Sequence, residues 1–470
     1  MDAFPLSFFA TAADGGLRGA APGTTVTRVV TDSRAVRPGD LFVALKGDRF
    51  DAHDFLVDVA ARGATAAVVS MDQLEKVPAG LAVVVVDDTK AAYGRMAAAY
   101  RRQFDIPVVC VGGSNGKTTT KEIIAALLGM RSAVLKSEAS FNNDVGVPAT
   151  LFRLDAGHRA AVLEAGTNHP GELAPLVRMI APRIGVITSI GREHLEHFGD
   201  LAGVVAEEGA LAELLPSAAD GGVLVINGAC AFHRLIASRT QARVVTVGHG
   251  AQDHWRAEVR SMTWERTTFH VTAPRPEWCG VHEISLPGRH SVPNAQLGLA
   301  VAFELGMSPS DARDGLAGLS PVRQRLTTRL AGGVRILDDT YNANADSVLA
   351  ALQTLADLPC TGRRVAVLGG MAELGRHTED AHAEVGRAAA RLGIDAVFAI
   401  GDMAPVTAAA AGSGRATSFA TVEAAAPAVL HFLQAGDSVL VKASRSARLE
   451  RMVEALRGQL ELRPAWKEAA

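Results

Sequence analysis

The sequence predicts an α/β protein in three parts: a small N-terminal α/β unit, a central unit around a mostly parallel sheet, and a C-terminal doubly wound unit. Three observations carry that expectation. At 470 residues the chain is too long for one ordinary core; domains run to ~100–200 residues, so this length suggests two to four. Its apolar runs are strand-length and alternate with amphipathic helical stretches, as in sheets covered on both faces. The alternation changes character after about Asp88 and again near Val322, which sets expected boundaries of 1–88, 89–321 and 322–470.

In the first unit, "TRVVTDSR", "DLFVAL", "TAAVVS" and "LAVVVV" are short β-rich runs punctuated by turn residues such as "RPGD". "TKAAYGRMAAAYRRQF" is helical, ends before Pro107, and reads as a linker helix over 89–105. From Ile106 the pattern becomes strand–loop–helix: "PVVCV", a Gly-rich loop, then "KTTTKEIIAALLG" closed by Gly129. "AAVLEAG" and "IGVITSIG" follow as buried strands, β-rich runs fill Gly221 to Pro287, and "NAQLGLAVAFELG" is helical. In the last third, "VRILDDT", "RRVAVLGG", "AVFAIG" and "SVLVKAS" are strands separated by Ala-rich helices, the alternation of a doubly wound sheet.

Composition narrows the function classes. Hydrophobic residues make up 48% and charged residues 21%, which describes a globular chain rather than a disordered one. A net charge of -3 without a basic stripe or tail argues against a nucleic-acid partner. Cys110, Cys230, Cys279 and Cys360 are scattered with no C-x-x-C pair, which suits reduced thiols in a cytosol. The opening "MDAFPLSFFATAADGG" has no basic residue before Arg18, against a secretory signal. No stretch of ~20 apolar residues is present to span a bilayer. The expectation is a soluble cytoplasmic protein with no membrane insertion.

The stretch "VVCVGGSNGKTTTKE" resembles a phosphate loop with unusual spacing. The common pattern is G-x-x-x-x-G-K-[ST], but Val111 stands five residues before Gly116, and the nearby glycines are Gly112 and Gly113. Its place between a strand and a helix lets backbone N–H groups at the helix start face an anion. Lys117 can neutralise phosphate oxygens and Thr118 can hold magnesium through its hydroxyl, so a nucleoside triphosphate is the expected ligand. Glu164 and His194 fall at the carboxyl ends of later strands, where an open α/β sheet places its ligand crevice. Oxygen ligands suit magnesium, and an imidazole among them would equally suit manganese. Taken singly, each of these residues also reads as a solvated loop charge. "HLEH" lacks the H-E-x-x-H spacing of a zinc protease.

With these residues in hand, the chain resembles the Mur ligases, ATP-dependent amide-forming enzymes of bacterial cell-wall synthesis. Their loop typically reads T-G-[ST]-N-G-K-[ST]-[ST], with the short spacing found here and a threonine where this chain has Gly112. The blocks "TDSRAVRPGDLFVALKGDRFDAHDF", "FNNDVGVPATL", "LEAGTNHPGEL", "SIGREHLEHFGD", "GRHSVPNAQ", "RQRL", "ILDDTYNANADSV", "VLGGMAELG" and "VKASRSARLERMVEAL" extend the resemblance almost end to end. It implies an N-terminal UDP-sugar domain, a central P-loop-type ATPase domain and a C-terminal Rossmann-like domain that binds the incoming amino substrate. Within the family the combination is most similar to members that add D-alanyl-D-alanine to UDP-N-acetylmuramoyl-tripeptide; the D-N-P-R motif of the diaminopimelate-adding relative is absent.

The resemblance also implies a mechanism and roles. A substrate carboxylate attacks the γ-phosphate of ATP to form an acyl phosphate, and an amine then displaces phosphate. Lys117 would steady the β- and γ-phosphates within a loop of Gly113, Ser114, Asn115, Gly116, Thr118 and Thr119. Thr118, Glu164 and His194 would contact metal, with two magnesium ions expected. Asn294 would meet adenine, Asp339 the ribose, and Arg325 the nucleotide from the C-terminal domain. Asp32, Ser33, Arg34, Asn142 and Asn143 would serve the UDP-substrate; Asn342, Asn344, Lys442, Ser444 and Arg445 would face the amino substrate. The last three also read as a basic strand end. A monomer with small-molecule partners is expected.

Several family positions are altered: Ala52, Ser291, Ala345, Gly370 and Ala443 join Gly112. Gly370 stands where aspartate is usual, which puts that polar role in doubt. Family members also carry a carbamylated lysine near the metal, and in this register the position is Glu208. No lysine occurs between Lys136 and Lys442 to replace it. One expectation is that Glu208 supplies that charge, reaching the metal through water; the other is that Glu207 and Glu208 form a solvated helix face. Two further functions stand beside the leading one: a related ligase with another carboxylate and amine, and a weakened nucleotide-binding homologue with a regulatory role.

Overall fold

The computed structural model describes residues 1–47 and 50–462. Its described strands form three principal sheets and one two-stranded pairing of Phe4–Pro5 with Thr25–Val26. The fold is α/β with mostly parallel sheets, as the strand–helix alternation predicts.

The N-terminal sheet has five strands in the order Gly16–Arg18, Ala82–Val86, Ala66–Ser70, Asp40–Val43, Arg28–Val30, parallel except at the first edge. Ala82–Val86 and Asp40–Val43 are buried along their whole length, which explains why they read as unbroken apolar runs rather than alternating ones. The nine-stranded central sheet is parallel from Val134–Lys136 through Ala160–Glu164, Val108–Gly112, Ile184–Ile187, Val223–Asn227 and Arg243–Gly248 to the start of Trp255–Met262. The β-rich stretch then turns it antiparallel through Thr267–Thr272 and Gly280–Ile284. The C-terminal sheet runs Thr327–Ala331, Val334–Asp339, Ser438–Lys442, Arg364–Leu368, Ala396–Ile400, Ala416–Phe419, parallel but for the first pair.

The expected linker helix, Thr89–Arg101, is embedded in a core. Asp88 starts it by accepting from the N–H groups of Lys90 and Ala91. Tyr93, Met96 and Tyr100 then join one apolar cluster reaching from Leu6 and Phe9 to Cys110 and Leu163 of the central sheet. The Tyr100 hydroxyl donates to the Leu154 carbonyl at 2.7 Å. On the opposite face of the central sheet, the helices Lys117–Gly129 and Ser291–Glu304 bury Ile123, Leu127, Leu297 and Val301 against Val111 and Val186. Among the described residues no helix is long and apolar enough to cross a membrane, and all four cysteines are free thiols.

This topology positions the site. Gly112, Glu164 and Ile187 end neighbouring parallel strands, and Asp339 and Lys442 end a paired couple in the C-terminal sheet. Carboxyl ends are where loops leave a parallel sheet and a crevice opens.

Candidate active site

One cavity of about 1190 Å³ is lined from both of those strand-end sets. The phosphate loop forms its floor. Gly116 has φ of 88°, a conformation that glycine adopts without strain, and the helix Lys117–Gly129 begins directly after it. A Cβ on Gly116 would also stand 2.6 Å from Asn294 Oδ1, so the absent side chain lets Asn294 close on the loop. The opposite side of the loop is tied to the end of the next strand: Ser114 N–H donates to the Ser189 carbonyl at 2.8 Å, and Asn115 N–H to Ser189 Oγ at 3.0 Å.

Lys117 folds back over the loop. Its Nζ donates to the Gly113 carbonyl and to Glu193 Oε2 at 3.2 Å. Burial works against its charge, but Glu193, Glu208 and Glu164 outweigh that and hold its pKa above the ordinary lysine value. The Thr118 hydroxyl donates to Glu164 Oε2 at 2.8 Å and accepts from Arg325 Nη2 at 3.1 Å. Asn142 Nδ2 donates to the other Glu164 oxygen at 2.8 Å. Arg325 itself lies over the Tyr341 ring, 4.2 Å from its centroid.

The sequence-expected residues separate into two groups. Ser114, Asn115, Gly116, Lys117, Thr118, Thr119, Asn142, Asn143, Glu164, His194, Asn294, Arg325, Asp339, Asn342, Asn344, Lys442, Ser444 and Arg445 all line the cavity. Gly113, Asp32, Ser33 and Arg34 do not. Asp32 starts the short helix Ser33–Ala35 and pairs with Arg34, whose hydrogen bond to it is the first cause holding its carboxyl down at about 2. Arg34 is 85% exposed.

The expected metal set is only partly assembled. Thr118 and Glu164 touch, whereas His194 Nδ1 is bonded to Glu373 from the C-terminal unit. Among the described residues no group of three His, Cys, Asp or Glu side chains is arranged to hold a metal. The donors present still fit magnesium. Thr118 Oγ1 and Glu164 Oε2 are paired hard oxygens, and buried Glu193 Oε1 has no hydrogen-bond partner among the described residues.

The expectation of a solvated helix face at Glu207 and Glu208 is corrected. Glu208 is 0% exposed and Glu207 is also buried, so neither belongs to a solvated face. Glu208 does not line the cavity; its Oε2 accepts the Gly113 N–H at 2.6 Å instead. Burial, reinforced by Glu193, pushes its pKa well above the usual carboxylate range, against the opposing pull of Lys117 and the Gly113 N–H. Glu207 accepts from the Gly171 and Leu173 N–H groups, each at 2.7 Å, and so ties down the start of the helix Leu173–Ile180.

Asp339 and Lys442, expected on separate ligands, form an ion pair at 2.6 Å, and Lys442 is 2% exposed. Asn344 Nδ2 donates across the cleft to Asn115 Oδ1 at 3.0 Å. At Gly370 a Cβ would meet nothing within 4 Å, and its carbonyl accepts from the Ser444 hydroxyl at 2.8 Å. Its backbone therefore makes the polar contact.

Sequence reasoning passed over Glu193, Arg192 and Glu373. Arg192 N–H and guanidinium hold Asp346 at 2.6–3.0 Å, and Nη1 reaches Glu384 at 2.5 Å. The only signal was their place in blocks already noticed: Arg192 and Glu193 stand between Gly191 and His194. The partners of Arg192 and Glu373 lie 154–192 residues away and that of Glu193 76, beyond any local pattern.

Comparison with known proteins gives three matches to family models. Residues 25–101 match the Mur ligase family catalytic domain, 111–302 the Mur ligase middle domain, and 324–445 the Mur ligase glutamate ligase domain. The chain is 38% identical to the UDP-N-acetylmuramoyl-tripeptide–D-alanyl-D-alanine ligase of Escherichia coli K12, covering 94% of this chain and 96% of that one. It is 34% identical to the enzyme of the same name from Bacillus subtilis 168, covering 92% and 93%. A crystal structure of MurF from Acinetobacter baumannii superposes with a TM-score of 0.89 at 30% identity, covering 97% and 99%. The Thermotoga maritima MurF complex with ADP superposes at 0.82 and 27% identity, covering 93% and 99%.

Proposed function

The chain belongs to the Mur ligase family, and from that premise we propose that it joins D-alanyl-D-alanine to UDP-N-acetylmuramoyl-tripeptide with ATP, in peptidoglycan precursor synthesis. The observation that carries the reading is the closed cleft itself. Arg325 from the C-terminal unit touches Thr118 of the phosphate loop, next to Lys117 and Glu164.

Activating a carboxylate with ATP requires two anions to meet, so catalysis is charge neutralisation and positioning. Lys117 carries the loop's own positive charge and is already held over it by Glu193 and the Gly113 carbonyl. When nucleotide enters, phosphate oxygens take over from those partners, and Arg325 approaches the same phosphates from the opposite wall. Thr118 and Glu164 would hold magnesium, which supplies further neutralisation of phosphate charge. The tripeptide carboxylate attacks the γ-phosphorus; ADP leaves and an acyl phosphate forms. The dipeptide amine then attacks the acyl carbon, phosphate departs with its bond electrons, and the amine gives up a proton.

The division of labour among 1–88, 89–321 and 322–470 belongs to this reading: UDP-substrate, ATP and incoming amine respectively. Asn294 and Asp339 are assigned to the adenosine, and Asn142 and Asn143 to the UDP-substrate. Asn342, Asn344, Lys442, Ser444 and Arg445 are assigned to the amine. A second magnesium ion and a monomeric, cytoplasmic enzyme complete it.

The test is incubation of the chain with ATP, magnesium, UDP-N-acetylmuramoyl-tripeptide and D-alanyl-D-alanine. Pentapeptide and ADP in equal amounts are the expected products. Phosphate release only with other acceptors would point to a different amine or carboxylate, and nucleotide binding without turnover would overturn the reading.

A further inference from the structure

Gly112, at the end of a central-sheet strand, and Glu208, on the helix Leu201–Glu213, meet in space. A Cβ on Gly112 would stand 2.9 Å from Glu208 Oε2 and 3.2 Å from Leu211 Cδ2. At 2.9 Å that contact is closer than a real Cβ approaches, so any side chain at Gly112 must displace Glu208 Oε2. Gly112 cannot retreat easily, because its carbonyl accepts from the Thr188 N–H at 3.1 Å and from the Thr188 hydroxyl at 3.2 Å.

The same carboxylate oxygen takes the Gly113 N–H at 2.6 Å. Gly113 has φ of 108° and is walled on its other side: a Cβ there would meet Thr188 Oγ1 at 2.5 Å and the Ser189 carbonyl at 2.8 Å. Its carbonyl accepts from Lys117 Nζ. One peptide-length segment is thus held from below by Glu208 and from above by the lysine that faces phosphate. The remaining Glu208 oxygen, Oε1, is buried with no hydrogen-bond partner among the described residues. A fully buried carboxyl group is costly unless hydrogen-bonded, and its one bond goes to the loop.

We propose that Gly112 and Glu208 are one coupled device: the missing side chain at Gly112 admits the Glu208 carboxylate, which fixes the Gly113 N–H and presets the phosphate loop for nucleotide. Glu208 is a positioning residue. It acts through Gly113 and Lys117 rather than by touching substrate. The inference rests on nucleotide binding at this loop, part of the function proposed above.

The experiment measures ADP affinity by calorimetry, and KM for each substrate, in Gly112→Ala, Glu208→Ala, Glu208→Gln and the double variant G112A/E208A. Each single alanine substitution is expected to weaken ADP and raise KM for ATP by about tenfold, a coupling of ordinary size for contacting residues. KM for the UDP-substrate and the dipeptide should hold steady. Once Glu208 is alanine, the Gly112 substitution should cost nothing more. Glu208→Gln keeps a carbonyl acceptor for Gly113 and should stay within ~3-fold of the parent. Losses that multiply in the double variant, or an unchanged ADP affinity in Gly112→Ala, would overturn the proposal. Should Gly112→Ala fail to fold, equal ADP losses in Glu208→Gln and Glu208→Ala would overturn it. A parent chain that binds no ADP would strike the function proposed above instead, so the two failures are distinguishable.

Discussion

At the scale of single residues, the site is a problem of buried charge. Lys117 is the loop's own cation, and Glu193, Glu208 and Glu164 all act on it. Glu193 and Glu164 stand at the cavity, where an incoming cation can answer them. Glu208 stands behind it, and its folded-state pKa is raised to about 8. A raised carboxyl pKa means the folded chain favours the protonated form. Stability from this group is therefore fully present below its ordinary unfolded value, near ~4.3, and is lost as pH climbs toward the folded value. Against Glu208→Gln, which has nothing to titrate, the parent's melting temperature should drop progressively as pH rises through that window and then level off. Parallel melting curves at every pH would contradict the assignment. Lys117, Thr118 and Glu164 were legible in the sequence because a strand–loop–helix pattern fixes where such side chains point. Glu193 was not, because its partner is a lysine 76 residues earlier in the chain.

At the scale of elements, the strands were the most legible part. Runs such as Ala82–Val86 and Val108–Gly112 are buried at every position, and unbroken apolar sequence has few other uses at that length. The structure adds helix caps that the apolar pattern does not mark, at Asp88 and Asn344. The helix Leu201–Glu213 shows where such reading stops. Two adjacent glutamates on an Ala-rich helix look like a wet face. Instead, loops arriving from elsewhere in the chain bring N–H groups that need acceptors: Gly113 to Glu208, Gly171 and Leu173 to Glu207. Glu207→Ala would leave the buried Leu173 N–H unpaired, at a cost of about 1–3 kcal/mol. A lowered melting temperature with near-parental kcat at moderate temperature is expected, by thermal denaturation and ligase assay. An unchanged melting temperature would contradict the capping role.

At the scale of the whole molecule, the three-part architecture was legible in length and alternation, but the closed arrangement was not. Closure depends on pairs that span the cleft: Arg192 with Asp346 and Glu384, His194 with Glu373, Asn115 with Asn344, Arg325 with Thr118. Gly191 contributes by absence, since a Cβ there would stand 2.6 Å from Asp346 Oδ2. Arg192→Ala removes the most heavily bonded of these latches. Small-angle scattering of that variant should give a larger radius of gyration than the parent without ligands, and its kcat/KM should fall; identical scattering would mean that other contacts hold the cleft shut. The purpose of closure is to bring a carboxylate to the γ-phosphate on the loop, and one isotope measurement tests that directly. With oxygen-18 in the terminal carboxylate of the UDP-tripeptide, phosphorus NMR of the released phosphate should show one labelled oxygen for each pentapeptide formed. Unlabelled phosphate accompanying full pentapeptide yield would contradict carboxylate activation at this loop.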